Sequence, residues 1–174
     1  MKKLFFALAL AMVSITSAVA QTKMGHVDSQ KVLDTIPSRR AAIAEIGIIE
    51  QNGVKELTGM DSTLNAMVEY YQKHPEWSQL VKQSYENQMR ELQGRISSRE
   101  QSIDRELQAL SAEVNKKSLE TVKSAVNNVS KLRKLTYVID KSVLLYHEGG
   151  EDITADVIKE VLKLDAASPA PKPQ

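Results

Sequence analysis

No cysteine occurs in the 174 residues, which excludes disulfide stapling, thiolate metal sites and attachment to a bacterial membrane through a lipidated cysteine. Glycine is scarce at seven residues and aromatics make up only 5%, while 26% of the chain is charged, a composition of extended helix with little globular core. A large enclosed active site is not expected from it. Long hydrophobic runs are missing after the N-terminus. The one that exists, Leu4 to Val13, follows Lys2-Lys3 and precedes Ala18-Val19-Ala20, the arrangement of a secretory signal cleaved near Ala20. The competing reading, an uncleaved anchor, requires about 20 apolar residues and finds too few. Charge of one sign is also absent. Removing Lys2 and Lys3 with the leader leaves 21 basic residues against 22 acidic, so nucleic-acid binding loses its electrostatic support.

What is present is helical periodicity. Met24 to Asp28 reads as a short strand, Ser29 as the cap of a short helical turn, and Pro37 as the first residue of a long helix. Leu57, Met60, Leu64, Met67 and Tyr71 then recur at steps of three and four, the seam of a coiled coil. His74-Pro75 interrupts it, since proline removes a donor and disfavours helix at the residue before it. The seam resumes through Tyr85, Met89, Leu92, Ile96, Arg99, Ile103, Leu107, Leu110 and Val114, and is expected to continue over Leu119, Val122, Val126, Val129 and Leu132. Two helices folding back at Pro75 would reach about 55 Å and 85 Å. Such a hairpin is a stalk.

The closing stretch holds the chain's β propensity. Tyr137 to Asp140 and Val143 to His147 read as two strands joined by Lys141-Ser142, with a turn at Glu148-Gly149-Gly150 and a final helix capped by Asp152 that carries Ile153, Val157, Val161 and Leu164. The expected organisation is a signal peptide over 1–20, a β-rich oligomerisation body from 21–36 and 134–165, a helical hairpin over 37–133 and a disordered, proline-punctuated tail over 166–174. Three short strands and one short helix bury too little to hold a stalk, so several copies are expected to share one core.

Chemistry-bearing patterns are weak. His26, His74 and His147 fall in a strand, at the hairpin tip and at a strand end with no HExxH pair, and His147, Glu148, Glu151 and Asp152 read as a solvated turn with a helix cap in place of a calcium loop. No GxSxG, phosphate-cradling loop or dinucleotide fingerprint occurs, so no catalysis, cofactor or metal is expected. The basic row from Arg90 to Lys123 is interleaved with acids such as Glu86, Glu91 and Glu113, a self-compensated wet face. Gly59 and Gly94 fall at similar height on the hairpin, where they either permit close helix approach or make a soft point. Tyr70 and Trp77 lie off the seam or in the turn and are the candidates for loose contact with apolar segments.

The order of signal peptide, MGHVDSQKVL, helical hairpin and YVIDKSVLLYHEGGEDITADVIKEVLK resembles the Skp/OmpH family of periplasmic chaperones. That resemblance implies a predominantly α fold with a small β-body (α+β): a jellyfish-like homotrimer with a β-barrel made from strands of all three chains and three antiparallel coiled-coil tentacles around a cavity. It further implies an ATP-independent holdase that shelters unfolded outer-membrane proteins in the periplasm. Carried onto this sequence, Val27, Val138, Ile139, Leu144 and Tyr146 become the trimer-body candidates. One departure stands out: members of this type are strongly basic, whereas residues 45–133 here hold 12 basic and 13 acidic side chains, which leaves contact with anionic membrane surfaces without support. The alternative reading is a coiled-coil spacer or adaptor of the cell envelope with fixed partners.

Overall fold

A computed structural model describes residues 22–168. The expected signal segment and the end of the expected tail, beyond Ser168, lie outside them. Strand β1 (Met24–Val27) leads into a short helix α1 (Ser29–Thr35), followed by the long helices α2 (Pro37–Gln72) and α3 (Gln79–Arg133). The chain then forms β2 (Tyr137–Asp140), a single 3₁₀ turn (Lys141–Val143), β3 (Glu151–Asp152) and the last helix α4 (Thr154–Ala167). The architecture is mostly helical with one small sheet. Residues 166 and 167, expected in the tail, are the end of α4.

Local chemistry explains most element boundaries. Asp28, one residue before the expected cap, accepts from the Lys31 amide at 2.9 Å and starts α1. Pro37 opens α2 where its missing donor costs nothing. Ser78 caps α3 through the Val81 amide, and α3 ends at Lys134, a non-glycine residue in the left-handed region at φ 54°. Asp152 accepts from the Thr154 amide at 3.0 Å and its hydroxyl at 2.6 Å and turns the chain into α4, one residue ahead of the N-cap position, which Ile153 occupies in place of the expected aspartate.

The sheet is open and parallel, with order β2-β1-β3 and register pairs Met24 with Tyr137 and Gly25 with Glu151. One expectation is corrected here: Val143 to His147 is not a strand. Both edges of β1 are occupied, by β2 and by Glu151–Asp152, and the β-prone segment pairs with neither outer edge of the sheet, forming a 3₁₀ turn and an exposed loop instead. Val143, Leu145 and Tyr146 project outward, with Leu145 fully exposed.

Beneath the sheet lies one core: Val27, Val32 and Ile36 from the N-terminal elements, Val122, Ala125 and Val129 from α3, Ile153 just before α4, and Val157 and Val161 on it. The last three were expected there. Helix α3 is 55 residues long against 36 for α2, so its final turns overrun the hairpin and become a wall of the body. Along the hairpin Arg39 meets Asn115, Glu56 meets Arg99, and Tyr71 meets Glu86, so residue numbers fall on one helix as they rise on the other.

Candidate functional site

The seam of the two long helices is half-buried at Leu57, Met60, Leu64, Met67 and Tyr71 on α2, and at Tyr85, Met89, Leu92, Ile96 and Arg99 on α3, where Ile103 is buried. Arg99 turns a polar seam position to use by donating two hydrogen bonds to Glu56, at 3.0 and 2.8 Å. That contact lowers the Glu56 carboxyl pKa and raises that of the guanidinium. Nearer the body the seam departs from the sequence reading. Ser118 and Ala125 are buried, while Leu119 is exposed and Leu132 is 82% exposed. Steps from Leu110 through Val114, Ser118 and Val122 are all of four, which rotates the stripe and strands the leucines on the outside.

At the far end Tyr70, Tyr71, His74, Trp77 and Tyr85 close into an aromatic knot. Trp77 stacks on His74 with centroids 5.0 Å apart and planes at 4°, and meets Tyr85 at 5.1 Å and Tyr70 at 5.6 Å edge-on. His74 Nδ1 lies 2.8 Å from Glu76, whose carboxyl falls below its ordinary pKa chiefly through that bond. The Tyr71 hydroxyl donates to Glu86, which raises the phenol. Of the two tip candidates, Trp77 is therefore half-buried in the turn and Tyr70 remains 51% exposed beside it. The sequence placed His74 at the hairpin tip but did not join it to the aromatics; its spacing of four from Tyr70 at the end of a helix was the available signal.

Glycines on the hairpin divide into two kinds. A methyl at Gly53 would lie 2.9 Å from Ile103 Cδ1 and 3.1 Å from its Cγ2, so this glycine lets the helices approach. At Gly59 and Gly94 a methyl would meet nothing within 4 Å. Close approach therefore does not account for glycine at these two positions.

In the body Val27 is buried, Val138, Ile139 and Leu144 are half-buried, and Tyr146 is 75% exposed, its hydroxyl donating to Glu148. These five candidates do not form one surface: Val27 belongs to the core, Val138 packs against it, and Tyr146 sits in the protruding loop. Lys141 donates to Asp152 at 2.6 Å and, together with the Thr154 bonds, holds the Asp152 carboxyl well below the usual carboxylate range. Asp140 is pushed up by burial, yet hydrogen bonds from Ser29 and Ser142 outweigh this and lower it overall. Among the described residues no group of three or more His, Cys, Asp or Glu could hold a metal ion, and no helix is long and apolar enough to cross a membrane.

A slender helical pair rising from a three-stranded parallel sheet, with the last helix packed below, is the arrangement to compare with known proteins. The family described as outer membrane protein (OmpH-like) matches residues 23–161. The chain belongs to this family. Chaperone protein Skp of Yersinia enterocolitica is 24% identical to this OmpH-like chain over 163 residues, covering 92% of it and 99% of that relative. Skp of Pectobacterium atrosepticum is also 24% identical, over 164 residues and the same shares of both chains. An OmpH-like outer membrane chaperone from Caulobacter crescentus CB15, solved by crystallography, superposes with a TM-score of 0.73 at 16% identity, covering 87% of this chain and 88% of that one. At such identity the likeness speaks for the fold.

Proposed function

We propose that this OmpH-like chain is an ATP-independent periplasmic holdase that shelters unfolded outer-membrane proteins and prevents their aggregation. It works as a homotrimer: three bodies pool their strands and outward loops into a β-barrel, and three antiparallel coiled-coil hairpins enclose the cavity. The observation that carries this reading is the segment Val143 to Tyr146. Val143 is 70% exposed, Leu145 fully and Tyr146 75%, next to a three-stranded sheet with open edges. Apolar side chains displayed together on a protruding loop are those a neighbouring subunit covers. A single hairpin has no inside, and three around a shared hub do.

Capture needs many weak contacts and no sequence preference. Off the seam, α2 exposes Ile43, Ile48, Val54 and Val68 at wide intervals among polar residues, which suits brief contact with apolar stretches of an unfolded chain. Tyr70 and Trp77 extend that surface to the tip. Gly59 and Gly94 serve as the soft point that lets the outer hairpin move around clients of different size. Release requires no nucleotide because binding of this kind is an equilibrium.

Diluting a urea-denatured β-barrel outer-membrane protein into excess mature chain, without nucleotide, tests the reading by light scattering and sedimentation. Suppressed scattering with a soluble complex of three chains and client is expected, with weaker suppression by Tyr70→Ser. Scattering unchanged at excess chain would instead favour the envelope adaptor.

A further inference from the structure

Helix α2 begins without a cap of its own. Ile36 precedes it and offers no side-chain acceptor, and Pro37 occupies the first turn, so the Ser38 amide is the first donor needing a partner. That partner comes from the other end of the chain. Asp165, in the last turn of α4, accepts from the Ser38 amide through Oδ2 at 3.1 Å and from the Ser38 hydroxyl through Oδ1. An aspartate in that last turn is misplaced for its own helix, whose C-terminal end favours cations and has no basic residue there. The same carboxylate is well placed for the positive end of α2. Two helix ends of opposite polarity thus meet on one side chain.

We propose that Asp165 is a latch that fixes the second leg of the hairpin to the body and so sets the direction in which the hairpin projects. The other leg needs none, because α3 runs unbroken from the hairpin into the core through Val122, Ala125 and Val129. A rod held along one line can pivot where it leaves the body. An off-axis attachment at Ser38 turns the pair into a braced strut. This inference concerns contacts within one chain and does not rest on the proposed assembly or clients.

The absence of cysteine makes the test direct. Spin labels at Glu50→Cys on α2 and Lys159→Cys on α4, in full-length chain diluted with unlabelled subunits, report the body-to-hairpin distance by electron–electron resonance. Asp165→Asn, which keeps the shape and removes the charge, is expected to broaden that distribution, and Asp165→Ala to broaden it further. Both should speed amide exchange at Ser38 and Arg39 by about fivefold, the effect of losing a typical cap, with residues 153–161 unchanged. Unaltered distances and exchange in a folded Asp165→Ala chain would overturn the latch. So would loosening spread evenly over α4, which would make Asp165 a general docking residue. Should Asp165→Ala fail to fold, Ser38→Ala, which removes one of the two bonds, decides on the same two readouts.

Discussion

At Gly53 the helix gives up about 1 kcal/mol of propensity relative to alanine so that Ile103 can enter the space a methyl would fill. Gly59 and Gly94 incur the same propensity cost with no neighbour to justify it. The substitutions should therefore differ in sign. Gly53→Ala is expected to destabilise the chain by about 1 kcal/mol, because overpacking against a buried isoleucine exceeds the propensity gained. Gly59→Ala and Gly94→Ala should each stabilise by up to about 1 kcal/mol, and together slow amide exchange in the turns around them if those turns are the soft point. Urea melts and hydrogen exchange check both outcomes. The sequence singled out Gly59 and Gly94 and left close approach and a soft point both open. That close approach belongs to Gly53 was not legible, because it depends on a residue 50 positions away on the opposite helix.

Among the helices, the seam illustrates how far a repeat can be extrapolated. From Tyr85 to Val114 the three-and-four pattern names the half-buried positions correctly. Beyond that point the pattern passes from one partner to several, and α3 packs against α1 and α4 as well as α2. Small buried residues, Ser118 and Ala125, then take positions that a search for leucine and valine assigns elsewhere. Leu132→Ala, at a site 82% exposed, is accordingly expected to change stability by less than about 0.5 kcal/mol. Ile153→Ala removes a fully buried side chain from the body and should cost about 2–5 kcal/mol. Thermal unfolding of the two variants side by side measures the contrast.

For the whole molecule, the distribution of exposed apolar surface matters more than its amount. The body core is closed around Val32, Ile153, Val157 and Val161, all without solvent contact, while the segment after β2 has nothing to cover it within the chain. Replacing that surface with charge probes the assembly without touching the core. Leu145→Asp is expected to shift the sedimenting species from trimer towards monomer while leaving the helical circular dichroism in place. A trimer unaffected by Leu145→Asp would remove this loop from the proposed hub.

The sequence by itself determined the two long helices, the break at Pro75, the β1 and β2 strands, the aspartate that turns the chain into α4, and the core positions Ile153, Val157 and Val161. Each of these depends on side chains within a turn or two of each other, on a proline's fixed geometry or on a steady periodicity. Only the tertiary structure decided that Val143 to His147 forgoes a strand, that β1 is flanked by parallel neighbours, that Ser118 and Ala125 are core, and that Ser38 is capped from Asp165. These outcomes turn on which distant segment reaches a given edge or helix end first, and a β-prone or uncapped stretch carries no local record of its partner.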